Sequence, residues 1–507
     1  MRTKSDGTES ELRPHLAFRT EESGKKAASS VLIYEGRKKM AEKKPNVLMI
    51  LIDDMGWKDL SGCGSSFYES PNIDALMQRG MMFDNAYAAC PVCSPSRASI
   101  LTGKYPATVG VTDWIDNSGE CHPVKGFLID APYIKHLPLD EYNLARCMKD
   151  SGYRTYHVGK WHLGTSSYYP EHQGFDVNIA GCHLGHPHHG YFSPYHIENL
   201  PDGPDGEYLT DRLTDEAVRL IRDNGDQPFF MNLWHYTVHT PTMAKEEDIE
   251  YFRKKAAKMG IDKVNPFVEG EHFPTQHKRD QRVTRRIIQS DVVYAAMIRN
   301  LDMNVGRVLD VLEETGKLDD TVIILTSDNG GLSTAESSPT CNYPAREGKG
   351  WMYEGGTRVP LSITLPGAVR AGMHSQVPTS SPDLYPTILE LCGLPLQKQQ
   401  HVDGISLLPA LQGREMADRP LFWHYPHYGN QGGTPGSSVR YGKWKLIEFF
   451  EDMHTELYDL EADPSEITDL SGSCPDECRR LKDLLHGWRA SIEAKIPQRN
   501  PDWNPVI

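Results

Sequence analysis

The chain lacks any long hydrophobic run. Its longest continuous apolar stretch covers residues 47–52 and ends at Asp53. A helix that crosses a bilayer needs roughly 20 apolar residues. We therefore predict that no segment of the chain spans a membrane.

Cysteine and positive charge are also scarce. The 10 cysteines are scattered singly, apart from Cys90/Cys93 and Cys474/Cys478, which is not a disulfide scaffold and fits a reducing compartment. Lys and Arg number 54 against 69 Asp and Glu, a formal charge of -15, so nothing offsets repulsion by phosphates and we predict no nucleic-acid partner. A small anionic substrate is not excluded, because screening over about 8 Å lets a local cationic pocket dominate.

The N-terminal segment lacks the apolar core of a secretory signal. Residues 1–45 are rich in Lys, Arg, Glu and Ser, and we predict that they form a disordered extension. With the cysteine pattern, this predicts a cytoplasmic protein. Met40 stands just before the first predicted strand, so a start at Met1 or at Met40 stays open.

What the chain does have is a regular alternation of helices and short apolar strands. A continuous apolar run over residues 46–52 is typical of a strand buried on both faces, and a further strand is predicted over residues 359–365. The helix and strand pairs that follow one another cover residues 141–151 and 155–158, 210–224 and 228–234, and 291–315 and 321–326. This order predicts an α/β fold with a central, mostly parallel sheet sandwiched by helices.

Two units are expected, because 507 residues exceed what one hydrophobic core usually serves. We assign residues 46–415 to a catalytic domain and residues 416–507 to a smaller C-terminal subdomain. The latter is rich in His, Tyr, Gly and Pro at its start. Strand-like residues 438–450 and 456–460 and a helix over residues 478–494 predict an antiparallel sheet with a packed helix.

Acidic and amide side chains follow two of the buried strands. Asp53 and Asp54 end the first strand, and Asp328 and Asn329 follow the strand over residues 321–326. Ligands of parallel sheets gather at the carboxyl ends of strands, and an all-oxygen set suits Ca²⁺ or Mg²⁺ rather than Zn²⁺. Acids at strand ends are otherwise helix caps or turn formers.

The most specific stretch of sequence begins at Cys93. It reads Cys-Ser-Pro-Ser-Arg over residues 93–97, and Thr102 and Gly103 follow. This resembles the sulfatase signature, in which Cys or Ser is followed by x-Pro-x-Arg and then a Thr-Gly pair. The chain is similar to the formylglycine-dependent type I sulfatases, which are arylsulfatase-like members of the alkaline phosphatase superfamily, from residue 46 to about residue 395. A buried cysteine is otherwise often a small hydrophobe.

The resemblance implies an alkaline-phosphatase-like domain and conversion of Cys93 to formylglycine. One hydroxyl of the hydrated aldehyde would attack sulfur, and the other would later expel sulfate. Arg97 lies four residues on, on the same face of a helix beginning near residues 94–96, where it would hold the diol and balance the anions of the site. The resemblance also implies one Ca²⁺ per chain, bound by Asp53, Asp54, Cys93, Asp328 and Asn329.

A second stretch, Gly-Lys-Trp-His-Leu-Gly over residues 159–164, resembles the second signature of the family. It implies that Lys160 binds sulfate oxygens and that His162 deprotonates the second hydroxyl when sulfate leaves, a role suited to a side chain that titrates near neutrality.

Two more residues match the leaving-group side of the family's site. His239 precedes Thr-Pro and aligns with the histidine that protonates the leaving alcohol, and Lys349 in Gly-Lys-Gly aligns with the lysine that bridges the leaving oxygen and sulfate. Strand alternation would put His235 on the same face as His239. We favour His239 because its Thr-Pro neighbours match the family.

Two histidine-rich segments have no assigned role. His183, His186, His188 and His189 lie close together, but their spacing does not match a tetrahedral zinc site, so a substrate-contacting loop and a plain surface loop both stay open. Residues 424–430 have the aromatic and polar mix of a sugar-binding surface, and ordinary packing of the subdomain is the alternative.

The resemblance predicts a sulfatase that hydrolyses sulfate esters, with a sulfated carbohydrate as the expected substrate among sulfated small molecules and glycans. Its partners would be that substrate and a maturation enzyme, either a formylglycine-generating or an anaerobic sulfatase-maturating one. The alternatives are a phosphodiester or phosphonate monoester hydrolase on the same scaffold, and a non-catalytic binding protein with unmodified Cys93. The sugar, the sulfate position, exo or endo action, the maturation system and the oligomeric state stay open.

Overall fold

The structure is a computed structural model that describes residues 44–116 and 125–503. The extension predicted over residues 1–45 lies outside the described residues except for its last two, and so does the alternative start at Met40.

A mostly parallel sheet of eight strands forms the centre of the larger part of the protein. Its central strand, Asn46–Ile52, pairs in parallel with Thr321–Ser327 on one side and with Phe229–Trp234 on the other. Leu361–Thr364 runs antiparallel to both of its neighbours, and the other pairings are parallel. The strand order is Met373–Ser375, Met81–Phe83, Leu361–Thr364, Thr321–Ser327, Asn46–Ile52, Phe229–Trp234, Arg154–Gly159 and Val177–Ile179.

Helices cover the sheet, as the alternation of elements predicts. Every residue of Asn46–Ile52 is buried, which explains why its sequence is apolar at consecutive positions rather than at alternate ones. Val292–Glu314 packs against three other helices, and Cys93–Thr102 belongs to a second group with Leu144–Asp150 and Leu384–Leu391. The α/β fold class is therefore confirmed.

The helix bounds agree with the predictions to within three residues where both exist. None of the helices among the described residues is long and apolar enough to cross a membrane. The α-helices are Pro71–Gln78, Cys93–Thr102, Pro106–Val109, Leu144–Asp150, Leu209–Asp223, Glu246–Met259, Val292–Glu314, Glu354–Thr357, Leu384–Leu391, Leu408–Leu411 and Pro475–Ser491. The 3₁₀ helices are Ser61–Cys63, Ser166–Tyr168, Pro170–Gln173, Ile261–Lys263, Leu318–Asp320 and Ser381–Asp383.

The long helix Val292–Glu314 begins where its sequence has an N-cap. The Asp291 side chain accepts hydrogen bonds from the backbone N–H groups of Val293 and Tyr294, each at 3.0 Å. Such a cap stabilises a helix by about 1 kcal/mol. The helix ends at Glu314, one residue before the predicted end.

The C-terminal region forms an antiparallel sheet of four strands, in the order Leu421–Tyr425, Gly436–Tyr441, Trp444–Phe449 and Thr455–Asp459. Leu481 and Leu485 of the helix Pro475–Ser491 pack in one apolar cluster with this sheet. The predicted strand over residues 438–450 is wrong in one respect: it is a hairpin whose turn holds Gly442 at φ 61°, a backbone angle that suits glycine.

Three two-stranded sheets were not predicted. Their pairs are Phe267–His272 with Arg282–Arg286, Ala86–Tyr87 with Thr379–Ser380, and Leu128–Ile129 with Gln498–Arg499. The domain boundary at residue 415 stays a prediction. The last of these sheets pairs Gln498–Arg499, from the C-terminal region, with Leu128–Ile129 of the larger unit. The nine cysteines among the described residues form no disulfide.

A buried ion cluster joins the C-terminal sheet to the larger unit. The Lys445 ammonium lies 3.0 Å from Glu354 Oε1 and 2.9 Å from Glu466 Oε1, and all three side chains are at most 1% exposed. Glu466 also accepts from the backbone N–H of Glu354 at 2.7 Å, and Glu354 accepts from the Tyr87 hydroxyl at 2.8 Å. One cation thus stands between two carboxylates away from water.

We predict that Lys445→Met lowers the free energy of unfolding by about 3–5 kcal/mol, because it removes the cation closest to two buried carboxylates and leaves Glu354 with Arg358 at 3.8 Å. The loss should be larger at about pH 8 than at about pH 5, since burial raises the pKa of Glu466 to about 7 and its protonation removes one charge. Denaturant titration measures this.

The matched control is Lys443→Met in the same hairpin. The Lys443 side chain is 42% exposed and contacts Asp459, so little change is expected. Equal losses in the two variants would contradict the account of the cluster.

Candidate active site

The carboxyl ends of two neighbouring strands bring four oxygen-bearing side chains together. Because Ile52 pairs with Ser327 in parallel register, the residues that follow them meet at one edge of the sheet. The backbone N–H of Asp54 donates to Asp328 Oδ1 at 3.2 Å, and Asn329 Nδ2 donates to Asp54 Oδ1 at 2.8 Å. The sequence predicted this convergence.

The same residues fit a hard cation. Asp53 Oδ1 and Asn329 Oδ1 are buried and have no hydrogen-bond partner among the described residues, which is unusual for buried oxygens unless something else binds them. Burial raises the pKa of Asp53 to about 8 even though Lys160 lowers it. Carboxylate and amide oxygens are what Ca²⁺ binds.

Two fully buried cations, Arg97 and Lys160, contact these carboxylates. Arg97 donates from Nε to Asp328 Oδ2 at 2.8 Å and from Nη1 to the Lys160 carbonyl at 3.0 Å. The Lys160 ammonium donates to Asp53 Oδ2 at 2.7 Å. Both cationic side chains are fully buried, behind the cavity rather than in it. They balance the acids, and the predicted contact of Lys160 with sulfate stays a prediction.

Cys93 is the first residue of the helix Cys93–Thr102, one residue before the predicted start. Its Sγ lies 3.3 Å from His162 Nδ1, and His162 Nε2 lies 2.8 Å from the Ile115 carbonyl. A carbonyl can only accept, so Nε2 carries the proton and Nδ1 is the unprotonated nitrogen that faces residue 93. Burial and, less strongly, Lys160 hold the pKa of His162 well below its usual range.

Lys349 and His239 form a second pair. The Lys349 ammonium donates to Asp54 Oδ2 at 2.8 Å and to His239 Nε2 at 2.9 Å, while His239 Nδ1 faces the Thr240 carbonyl at 2.7 Å. The proton that these two groups share therefore resides on Lys349. Burial and Lys349 hold the pKa of His239 well below its usual value.

His239, not His235, reaches the site. The strand Phe229–Trp234 ends before His235, whose ring is fully buried with neither nitrogen hydrogen-bonded within the described part of the chain. Ligand atoms of Asp53, Asp54 and His239 lie within 4.8 Å of one another. His239 was not predicted as a ligand, and its Nε2 instead accepts from Lys349.

These groups open into one cavity of about 510 Å³. Cys93, His162, His239 and Lys349 form its floor, since each is at most 9% exposed. Their predicted roles stay predictions, but the structure brings all of the predicted site residues to one place, at this floor or directly behind it. A cavity of this size suits a ligand of a few tens of atoms.

The histidine-rich segment forms one wall. His183, His186 and His188 line the cavity, and the His186 ring stacks on His239 at 5.6 Å between centroids and on His188 at 4.1 Å. His189 instead contacts His196. Of the two interpretations left open, a loop that faces the substrate space is the one that this geometry favours.

Gly185 fixes how close this wall comes to the floor. A Cβ built there would lie 2.6 Å from the His162 ring, so any side chain would displace that histidine.

The mouth of the cavity holds residues that the sequence did not reveal. Trp114, Asp116, Glu336, Asn430 and Gln431 line it. None belongs to a recognisable motif, although Asn430 ends the segment over residues 424–430 that had a sugar-binding composition. His424 is hydrogen-bonded to Ser437 and the Lys495 carbonyl, so much of that segment is ordinary packing.

Fold and site together define a hydrolase of alkaline-phosphatase-like α/β architecture. The family model described as Sulfatase matches residues 45–394, which is more than half of the chain, and the chain therefore belongs to the sulfatase family. A second model, described as N-sulphoglucosamine sulphohydrolase, C-terminal, matches residues 347–487.

Relatives match along most of both chains. A protein named Sulfatase from Formosa agariphila is 30% identical, with 91% of each chain covered. The N-acetylgalactosamine-6-sulfatase of Homo sapiens is 31% identical over 76% of this chain and 69% of its own. The crystal structure of Ps i-CgsB in complex with k-i-k-neocarrahexaose has a TM-score of 0.70 and 28% identity, covering 88% of this chain and 93% of that chain. The protein is accordingly a sulfuric ester hydrolase.

We predict that Ca²⁺ raises the melting temperature of chelator-treated protein by a few degrees, because a ligand at about 100 times its Kd adds about 2.7 kcal/mol to the folded state. Thermal unfolding with and without Ca²⁺ measures this without any activity.

Asp328→Asn should lose the Ca²⁺-dependent rise, whereas Asp319→Asn, at a side chain that is 74% exposed, should keep it. An identical rise in both variants would place the Ca²⁺ elsewhere.

Proposed function

We propose that this sulfatase hydrolyses a sulfate ester of a carbohydrate, using formylglycine made from Cys93 and one Ca²⁺. The observation that carries the proposal is that two pairs of residues lie together at one cavity floor, Cys93 with His162 and His239 with Lys349. An unprotonated histidine nitrogen faces residue 93 at 3.3 Å, and a protonated lysine contacts a second histidine at 2.9 Å.

The first pair suits a nucleophile. Formylglycine at position 93, as its hydrate, would supply the hydroxyl nucleophile for sulfur, and the bond from sulfur to the sugar oxygen would break. His162 Nδ1 is unprotonated and can accept a proton from residue 93, because the ring proton is on Nε2, which donates to the Ile115 carbonyl. The Ca²⁺ would be held by Asp53, Asp54, Asp328 and Asn329, next to residue 93, and supplies positive charge to sulfate oxygens.

The second pair suits a leaving group. Lys349 holds a proton against His239 Nε2, so this side of the floor can deliver a proton to the oxygen that departs with the sugar. The negative charge of a bound sulfate would favour protonation of the His239 ring. Such help matters most for an alcohol, which is a poor leaving group.

A carbohydrate is the substrate class that the surroundings favour. The mouth offers Asn430, Gln431 and Glu336 to hydroxyl groups, with Trp114 as an aromatic surface. Relatives carry the names N-acetylgalactosamine-6-sulfatase and N-acetylglucosamine-6-O-sulfatase. Cytoplasmic residence and the need for a maturation enzyme remain part of the proposal.

We expect sulfate release from at least one member of a panel that includes N-acetylgalactosamine 6-sulfate, N-acetylglucosamine 6-sulfate and 4-nitrophenyl sulfate. Ion chromatography measures free sulfate. Cys93→Ala and Asp328→Ala should abolish it. Cys90→Ala should retain it, since Cys90 is buried but does not line the cavity.

The peptide that holds residue 93 should be about 18 Da lighter than its cysteine form. Sulfate release from protein whose residue 93 is wholly cysteine would contradict the formylglycine. Turnover of phosphonate monoesters or phosphodiesters with no sulfate release would favour the alternative hydrolase.

We predict that His239→Gln lowers kcat for a sugar sulfate by about 10²–10⁴-fold and lowers it far less for 4-nitrophenyl sulfate. Nitrophenolate departs without a proton, whereas a sugar alkoxide needs one. Parallel kinetics on the two substrates measure the difference.

His235→Gln is the matched control, since that ring is buried outside the cavity, and its ratio of the two rates should equal that of the wild type. A uniform loss on both substrates in His239→Gln would argue against a role at the leaving group.

A further inference from the structure

The positive charge of the cavity is confined to its floor. Lys349 is the one lysine or arginine among the lining residues that the structure describes. Arg97 and Lys160 are fully buried behind the floor, where they contact Asp328 and Asp53. The segment 117–124, which follows the lining residue Asp116, contains no lysine or arginine in its sequence.

Among the described lining residues, the walls and the mouth add two carboxylates and no further lysine or arginine. Asp116 and Glu336 both line the cavity. Burial lowers the pKa of His186 to about 4, with a further contribution from His188, so this ring is neutral near pH 7. Lys278 comes near only through its bond to the Asn430 carbonyl at 3.2 Å and is not a lining residue.

Glu336 is an exposed residue whose carboxylate is oriented by a hydrogen bond from Gln431. Its Oε2 accepts from Gln431 Nε2 at 3.0 Å. Gln431 is 5% exposed and packs tightly on Gly350, where a Cβ would lie 2.3 Å from its Oε1. Gly350 has φ 82° and follows Lys349 directly.

One side chain, that of Trp351, is hydrogen-bonded to both of the segments that contain Glu336 and Gln431. The Trp351 indole N–H donates to the Thr334 hydroxyl at 3.0 Å and to the Gln431 carbonyl at 3.2 Å. The Glu336 carboxylate also raises the pKa of Lys349, although burial opposes this and Asp54 contributes more. A negative charge therefore faces the substrate space from the side of Lys349.

We propose that the cavity selects a sugar with no second anionic group beside the scissile sulfate, and that Glu336 is the residue that makes this selection. The floor receives the reacting sulfate, while a second sulfate or a carboxylate one or two carbons away would meet Glu336 and no lysine or arginine among the described lining residues of the walls and the mouth. A hydroxyl at the same place can donate to the carboxylate instead. Specificity then arises from repulsion of the wrong substrate as much as from attraction of the right one. The inference rests on the proposed function and narrows its substrate class.

The test compares kcat/KM for N-acetylgalactosamine 6-sulfate and for its 4,6-disulfate. A second pair, 4-nitrophenyl sulfate with a 3-carboxamide and with a 3-carboxylate, differs in charge and little in shape. We expect wild type to favour the member of each pair without the second anion by about tenfold. Glu336→Gln keeps the shape of the side chain and removes its charge. In this variant the ratio of the two kcat/KM values in each pair, corrected for the difference in the substrates' uncatalysed reactivity, should be close to one.

The salt dependence of the substrate preference distinguishes an effect of charge from an effect of shape. The wild-type preference should shrink between about 0.05 M and about 0.5 M NaCl, and the Glu336→Gln preference should not respond. Glu313→Gln, at an exposed position on the helix Val292–Glu314, should behave as wild type.

Equal use of both members by wild type, or an unchanged preference in Glu336→Gln, overturns the inference and leaves the sulfatase intact. If only the aryl sulfates react, the carbohydrate proposal fails and the aryl pair still decides the role of Glu336. If no sulfate ester reacts in protein converted at residue 93, the proposed function fails and the inference fails with it.

Discussion

The site depends on a balance of buried charge at the carboxyl end of the sheet. Asp53, Asp54 and Asp328 are each joined to a cation, by contacts of 2.7 to 2.8 Å with Lys160, Lys349 and Arg97 respectively. Removing any one partner leaves a charge in a region without water, which costs several kcal/mol. The balance is nevertheless incomplete, since Asp53 Oδ1 and Asn329 Oδ1 have no hydrogen-bond partner among the described residues. The proposed divalent cation would complete it, so the constraint that shapes the fold here would also prepare the site for the proposed chemistry.

Much of this arrangement could be predicted because it follows from local sequence. Apolar runs that end in Asp53-Asp54 and Asp328-Asn329 indicate parallel strands whose ends meet, and the bounds of the helix Val292–Glu314 follow from its cap at Asp291. The partners of the acids could not be predicted, because Lys160 meets Asp53 across 107 residues and Arg97 meets Asp328 across 231. The strand Phe267–His272 was missed because exposed charged residues interrupt its alternation. Glu336 and Gln431 carry no motif, and only the folded chain brings them together.

The C-terminal sheet contributes to the cavity and does more than pack beside it. Gln431 contacts Gly350 and Glu336, and Lys445 is buried against Glu354. The segment between Lys349 and Glu354 is therefore held from both sides by residues that come more than 70 positions later in the chain. A change in the loop over residues 424–431 can therefore alter the mouth of the cavity at Asn430 and Gln431. The acids behind the floor instead follow strands of the central sheet.

The burial of Cys93 has a consequence for how the protein is made. The side chain is 3% exposed and belongs to the first turn of a helix that is buried along its whole length. If Cys93 is converted to formylglycine as proposed, a maturation enzyme would have to reach a sulfur that is covered in the folded chain, so oxidation before folding is the favoured order. Folding and maturation would then compete for the same segment. A host that folds the chain quickly but oxidises it slowly would accumulate folded protein with unmodified Cys93.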